Sequence, residues 1–147
     1  MKYSPAVEQA CCIMGLLATA AKDNAVVTNE KLSSQLKVSP SYMKKITRKL
    51  TVAELITSAL GSRGGFTLAR PTKKITLLDV VEAIEGQGGL FQPTGLIERV
   101  FHKKEKAANI GLTRIEQTFK ESEKAAKVKL QRLTLETLLK EIKEEYV

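Results

Sequence analysis

The residues of this sequence best suited to binding chemistry are basic or hydroxyl-bearing, and they cluster before residue 50. Lys44, Lys45 and Arg48 closely follow Ser41 and Tyr42. Cationic side chains pair with phosphate oxygens, which receive most protein–DNA hydrogen bonds, whereas residues near the start of an inserted helix meet base edges. The set therefore predicts a DNA-binding face, with Ser41 and Tyr42 at the bases and the three cations at phosphates or bases. The alternative is a solvated basic face.

The charge of the chain is unevenly distributed. The formal net charge is +8; residues 1–74 contain 12 Lys and Arg against 4 Asp and Glu, while residues 75–147 contain 12 of each. Confinement of the excess to one half is typical of a module that binds a polyanion. For Lys49, in this half, a solvated position and a DNA-backbone contact stay open as equal alternatives. Aromatic residues make up only 5% and Trp is absent, which disfavours single-stranded nucleic acid, since proteins bind it by base stacking.

The composition does not supply a catalytic or metal-binding set. The only cysteines, Cys11 and Cys12, are adjacent, and the single histidine, His102, stands among basic residues. We therefore expect no enzyme activity, no metal site and no cofactor. Buried structural thiols are the favoured interpretation of the cysteines, with redox sensing as the alternative. The apolar run Ala10–Ala21 is too short to cross a bilayer and lacks a charged leader, so we expect a cytoplasmic protein without membrane contact.

Capping residues mark the starts of the helices that must position these side chains. Thr28, Ser39 and Thr76 each follow an apolar residue, and a second apolar residue stands four positions after each cap. A capping hydroxyl accepts a free amide hydrogen of the first helical turn, while the apolar pair fixes the entry of the chain. The predicted helices cover residues 5–21, 29–36, 40–50 and 77–85. Only about three residues separate the second and third helices, which predicts a helix-turn-helix.

A glycine-rich hairpin is predicted directly after the third helix. Two β-prone runs, 55–59 and 65–69, flank a tip that contains Arg63. A hairpin in this position is a wing, and we expect Arg63 to reach a DNA groove, where narrow A·T tracts favour its insertion. Thr28 and Ser39 complete the predicted DNA-binding set, because a hydroxyl at a helix start can also contact a phosphate.

The second half predicts a dimerisation arm. After a short helix near residues 95–107, Thr113 is expected to open a long helix that ends near residue 131. A narrow apolar stripe on an otherwise charged helix favours packing against a second helix. The stripe consists of Ile115, Phe119, Ser122, Ala126, Leu130 and Leu133. A last helix near residues 135–146 would fold back over this stripe.

The predicted fold class is mainly α with a small β-hairpin. A winged helix-turn-helix DNA-binding domain occupies residues 1–86, and a helical dimerisation and effector region occupies residues 87–147.

Three runs of residues in the first half form distinctive sequence motifs. Residues 39–46 read SPSYMKKI, residues 64–71 read GGFTLARP and residues 75–86 read ITLLDVVEAIEG. In these runs the chain resembles the Rrf2 family of bacterial transcription regulators, which includes iron–sulfur cluster regulators and nitric-oxide-sensing repressors. The resemblance covers about residues 1–86.

The resemblance implies a homodimer that joins two winged helix-turn-helix modules through a long helix, binds near-palindromic operators and usually represses. Many members hold an iron–sulfur cluster on three cysteines in the segment corresponding to residues 86–112. That segment contains no cysteine here, so the chain resembles a cluster-free branch of the family. Where the family often has an arginine before the first wing glycine, this chain has Leu60, and the minor-groove role passes to Arg63.

The sequence thus predicts a sequence-specific regulator that binds duplex DNA as a homodimer. Two other functions stay open: a winged-helix adaptor that docks on an acidic protein partner, and a thiol-responsive switch through Cys11 or Cys12. No residue specifies the effector, the operator sequence, or repression over activation.

Overall fold

Helices make up most of the fold in the part of the chain that the computed structural model describes, residues 2–61 and 64–146. The helices are α1 (Pro5–Ala21), α2 (Asn29–Leu36), α3 (Pro40–Val52), α4 (Leu77–Glu85), α5 (Leu96–Val100), α6 (Glu105–Gln131) and α7 (Leu135–Tyr146). The strands are β1 (Ile56–Ala59) and β2 (Gly65–Leu68), and short 3₁₀ helices lie at Thr72–Lys74 and His102–Lys104. The predicted fold class is confirmed, and the first four predicted helices agree with α1–α4 to within two residues.

Helix α1 lies at the centre of the core and packs against α2, α3, α4, α7 and β2. Ile13, Met14 and Leu17 are fully buried on it, because a spacing of three and four residues places them on one face. Met43, Ile46 and Leu50 supply the inner face of α3, as their spacing predicts. This packing fixes which side of α3 is turned toward solvent.

The caps that the sequence predicts are formed. Thr28 Oγ1 accepts a hydrogen bond from the backbone amide of Lys31 at 3.1 Å, and Ser39 Oγ accepts from that of Tyr42 at 3.2 Å. Thr76 and Asp79 form a reciprocal capping box at the start of α4. Between α2 and α3 the chain turns through Lys37, whose φ of 54° lies in the left-handed region. The three-residue connection of the helix-turn-helix is therefore present.

The hairpin pairs β1 and β2 in an antiparallel register, with Ile56 opposite Leu68 and Ala59 opposite Gly65. Val27, just before α2, extends this sheet by exchanging two backbone hydrogen bonds with Phe66. A Cβ on Gly65 would stand 2.8 Å from the carbonyl oxygen of Val27. Glycine is required there because the two backbones approach too closely for a side chain, and the wing is thereby attached to the helix-turn-helix.

The long helix α6 begins eight residues earlier than the sequence analysis expected, so the prediction of a start at Thr113 is wrong. Residues 105–112 already have helical backbone, because Lys and Ala are strong helix formers and the single Gly111 costs only about 1 kcal/mol. The predicted short helix near 95–107 is correspondingly reduced to α5. None of the described helices is both long and apolar enough to cross a bilayer.

The described chain divides into two compact units. One comprises the residues up to Gly86 together with those from Leu130 onward, and the other comprises Gln87–Lys129. The last helix, α7, therefore belongs with the N-terminal unit, unlike in the predicted division at residue 86, and it packs on α1 and on Thr72–Lys74.

Local contacts explain the position of α7. Residue Leu133 accepts a hydrogen bond from the amide of Leu77, and Leu135 donates one to Ile75, each at 2.8 Å. Thr134 Oγ1 accepts from the amide of Thr137 and so caps the start of α7. Leu133 consequently lies beyond the end of α6, and its predicted place on the α6 stripe is wrong.

Candidate nucleic-acid interface

The side of α3 opposite the core is polar and exposed. The exposed side chains are Ser41, Tyr42, Lys44, Lys45 and Arg48. At the helical step of 3.6 residues per turn, all of them except Tyr42 fall within an arc of about 100°. The structure thus places four of the five α3 residues that the sequence analysis selected on one exposed face, with Tyr42 at its edge.

Two further predicted residues, Ser39 and Thr28, are engaged as helix caps. The Oγ atom of Ser39 also lies 3.2 Å from the Oγ atom of Ser41. Thr28 is half-buried at the start of α2. Because each hydroxyl oxygen already accepts an amide hydrogen, the capping role of both residues is established by geometry, and their contact with DNA stays a prediction.

Tyr42 makes a contact that the sequence analysis missed. Its hydroxyl donates a hydrogen bond to Oε1 of Gln9 on α1 at 3.1 Å, while 37% of the residue remains exposed. The partners are 33 residues apart, and a glutamine on a helix carries no sequence signal for such a bond. Helix α1 therefore fixes the end of a side chain that stands in the first turn of α3.

Lys49 is exposed and makes a contact that the sequence analysis did not predict. Its Nζ donates to the carbonyl oxygen of Ile84 at 2.7 Å, and so ties α3 to the last turn of α4. A cation is favoured there because the carbonyl end of a helix carries partial negative charge. The carboxylate Oε1 of the adjacent Glu85 accepts a hydrogen bond from the backbone amide of Ser4 at 2.6 Å. Hydrogen bonds from the backbone and side chain of Ser4, together with the nearby charge of Lys49, lower the pKa of the Glu85 carboxyl group.

Arg70 clamps the C-terminal end of α3, which is a further contact that the sequence analysis missed. Its Nη2 donates to the carbonyl of Ala53 at 2.9 Å and its Nε to that of Glu54 at 3.1 Å. Its Nη1 also lies 3.8 Å from Oδ2 of Asp79, the capping residue of α4. One guanidinium group thus joins the end of α3 to the start of α4 and holds the orientation of α3.

The predicted wing-tip residue, Arg63, lies outside the described residues. The strands that precede and follow the tip are described, and Leu60 beside it is almost fully exposed. The contact of Arg63 with a DNA groove stays a prediction.

The two cysteines have different surroundings. Cys11 is half-buried and Cys12 is exposed. Burial, with smaller contributions from Cys12 and Glu8, raises the pKa of the Cys11 thiol. Since the thiolate is the reactive form, these surroundings make Cys11 less nucleophilic at neutral pH. Cys11 lines a cavity of about 40 Å³ with Met14 and other apolar residues, as expected for a structural thiol.

The apolar stripe of α6 is largely exposed. Ile115 and Phe119 are 39% and 42% exposed, Ser122 is exposed, and Ala126 and Leu130 are half-buried. One face of the Phe119 ring stacks on Phe91, with ring centroids 5.0 Å apart. In the unit Gln87–Lys129, the large exposed apolar residues that the sequence analysis did not select are Leu90, Leu96, Val100, Phe101, Ile110 and Val128.

A family model for Rrf2, described as iron-dependent transcriptional regulator, matches residues 3–141 of the chain. The chain belongs to the Rrf2 family. Among curated relatives, YwgB of Bacillus subtilis is 45% identical over 69% of this chain and 64% of its own length. YffB of Lactococcus lactis is 40% identical over 67% of this chain and 62% of its own length. Both are named as HTH-type transcriptional regulators, and the chain spans less than two thirds of each.

Solved structures of Rrf2 proteins share the fold. IscR of T. potens matches with a TM-score of 0.67 and 21% identity, covering 100% of this chain and 92% of its own. CymR, described as the global cysteine regulator of B. subtilis, matches with a TM-score of 0.63 and 20% identity, covering 94% of this chain and 95% of its own. The structural similarity to these proteins extends through the C-terminal helices, beyond residues 1–86, where the sequence motifs lie.

The family description names iron, and the residues of this chain do not fit an iron–sulfur cluster. Such clusters are held by several thiolates within reach of one another. Here the only cysteines in the sequence are the adjacent pair on α1. Across residues 2–61 and 64–146 no group of three or more His, Cys, Asp and Glu side chains is placed to hold a metal ion. This member of the Rrf2 family lacks the ligands for a cluster of the family's kind.

Proposed function

We propose that this Rrf2 protein is a sequence-specific DNA-binding transcription regulator that acts in the cytoplasm as a homodimer, binds a near-palindromic operator and represses. Residues 1–86 bind DNA, and residues 87–147 serve dimerisation and the response to an effector. The observation that carries the proposal is the exposed face of α3, where hydroxyl and cationic side chains lie beside a wing.

The geometry suits insertion of α3 into a major groove. Ser41 and Tyr42 stand in its first turn, which is where helix-turn-helix proteins meet base edges. Lys44, Lys45 and Arg48 are exposed on the same side as Ser41 and meet the phosphates that flank the groove. Lys49 and Arg70 hold the C-terminal end of the helix to its neighbours in the fold. A pre-ordered α3 loses little conformational entropy when it binds.

Dimerisation is supported by the uncovered apolar residues of α6. A helix of 27 residues with only Ala108 fully buried gains most of its stability from packing against another surface. A second copy of the chain offers the same stripe and creates a two-fold axis. Two copies of α3 would then read half-sites spaced by about one helical turn of DNA.

The test measures binding to duplex DNA from upstream of the protein's own gene and to a shuffled duplex of equal composition. Three cations per protomer give about six phosphate contacts per dimer, so affinity falls about a thousandfold between 50 and 200 mM salt. A variant with Lys44, Lys45 and Arg48 changed to Ala should lose binding while the dimer persists in analytical ultracentrifugation. Equal affinity for both duplexes, or a flat salt dependence, would refute the proposal.

A matched control removes the same charge elsewhere. Lys106, Lys120 and Lys124 are exposed on α6 and fall on the side opposite the apolar stripe at the helical step of 3.6 residues per turn. Their joint replacement by Ala lowers the net charge equally and should change affinity far less than the α3 replacement does. A similar loss in both variants would assign binding to net charge alone.

A further inference from the structure

We propose that Gln9 sets the base preference of the protein without touching a base, by fixing the hydrogen-bonding polarity of Tyr42. This inference rests on the proposed function, since it concerns how the same face of α3 reads DNA. It assigns a specificity-determining role to a residue of α1 that nothing in the sequence marked.

A tyrosine hydroxyl has one hydrogen to donate and lone pairs that accept. In this structure the hydrogen is used, because Tyr42 donates it to Oε1 of Gln9 at 3.1 Å. On its exposed side, the Tyr42 hydroxyl can therefore only accept a hydrogen bond.

An acceptor in the major groove distinguishes bases. Adenine N6 and cytosine N4 present amino donors there, whereas guanine and thymine present the carbonyl acceptors O6 and O4. An acceptor-only Tyr42 therefore pairs with adenine or cytosine on the strand that it faces. Opposite guanine or thymine, two acceptors meet without a hydrogen between them, and the desolvated groups stay unpaired.

The contact also fixes where the hydroxyl stands. Gln9 is half-buried on α1, the helix whose Ile13, Met14 and Leu17 are fully buried in the core. Tyr42 lies in the first turn of α3, where its backbone amide is held by the cap of Ser39 at 3.2 Å. Both ends of the tyrosine are thus anchored, one by its own backbone and one by α1.

The experiment selects duplexes from a randomised library with the wild-type protein and with Y42F, Q9L, Q9E and the double variant Q9L/Y42F, all at one salt concentration. The position at which Y42F loses a base preference identifies the base pair that Tyr42 faces. At that position we expect the wild type to prefer adenine and cytosine by about fivefold, the equivalent of one neutral hydrogen bond. Q9L should bring this preference close to parity, because the released hydroxyl can donate to guanine or thymine as well.

The other variants separate positioning from general damage. Glutamate at position 9 is still an acceptor, so Q9E should keep the adenine and cytosine preference even where its added charge weakens binding to every duplex. In the Y42F background, Q9L should have no further effect on base preference, which is the coupling expected of two groups acting as one. The salt dependence should stay the same for Q9L and the wild type, because no phosphate contact changes.

Three results would overturn the inference while leaving sequence-specific binding intact: an unchanged preference in Q9L, a Q9L effect that persists in Y42F, or no altered position in Y42F. Failure of the proposed function looks different, since the wild type would then select no sequence at all.

Discussion

The guanidinium clamp formed by Arg70 offers a direct test of how α3 is held, through the substitution R70M. Methionine keeps the apolar length of the side chain and removes its donors. The variant loses the bonds to the carbonyls of Ala53 and Glu54, at 2.9 and 3.1 Å, and the ion pair with Asp79 at 3.8 Å.

The expected loss follows from these distances and from solvent access. A hydrogen bond from a charged donor contributes about 1.5–3 kcal/mol when shielded. The Arg70 side chain is 34% exposed, so screening reduces both bonds, and a partly exposed ion pair adds no more than about 1 kcal/mol. We therefore expect R70M to lower the free energy of unfolding by about 2 kcal/mol, which corresponds to about 4–8 °C in melting temperature for a chain of this size.

The assay is urea denaturation monitored by circular dichroism, with R48M as the control. Arg48 is exposed on α3 and has no hydrogen bond or ion pair within the described residues, so R48M should change stability by less than about 0.5 kcal/mol. DNA affinity at 25 °C should change in the opposite order: R48M should lose more affinity than R70M, because R48M removes the proposed phosphate contact from a protein that is still folded. An R70M protein as stable as the wild type, with an unchanged urea dependence, would show that the clamp does not hold α3.

Three more predictions concern other contacts. G65A places a methyl group against a backbone carbonyl 2.8 Å away, so the variant should lose about 1–3 kcal/mol of stability in thermal unfolding; a neutral result would mean that the wing shifts freely. Hydrogen bonds from Ser4 hold the pKa of Glu85 below that of the unfolded chain, so this contact stabilises above the unfolded pKa and is lost as pH falls through the lower folded pKa. The stability difference between the wild type and E85Q should therefore shrink from about pH 6 to about pH 3, and a difference independent of pH would contradict this origin. In alkylation followed by mass spectrometry, Cys12 should react well before Cys11, which is half-buried with a raised pKa; equal rates would reopen Cys11 as the reactive thiol of a switch.

Local signals were sufficient for the helix-turn-helix. The caps at Thr28 and Ser39 and the apolar spacing of Met43, Ile46 and Leu50 involve residues at most a few positions apart, and all of these features are present in the structure. They decide which side of α3 is exposed, and so the basic face was predictable as well. One local signal gave a wrong prediction. The cap pattern at Thr113 predicts a helix start, but the backbone is already helical from Glu105 onward.

The contacts that position the face were not predictable in the same way. The bonds of Lys49 to Ile84 and of Tyr42 to Gln9 span 35 and 33 residues, and their donors are common on exposed helix surfaces. A lysine that caps a distant helix and a lysine that faces solvent look alike in the sequence. The same holds for α7, whose apolar residues fit either the α6 stripe or the N-terminal unit until the pairing of residues 133–135 with 75–77 decides between them.

Five basic residues on α3 and near its C-terminal end therefore divide into two groups with different surroundings. Arg70 and Lys49 donate to carbonyls at the ends of α3 and α4, where the partial negative charge of a helix end attracts a cation. Lys44, Lys45 and Arg48 have no such partner among the described residues, and their charge remains available to phosphates. Excess charge alone overstates the charge that faces DNA. Arg70 neutralises the carbonyl end of α3 and Lys49 that of α4. In the proposed complex with DNA, the amide end of α3 and its first-turn hydroxyls then form the polar end that is turned toward the nucleic acid.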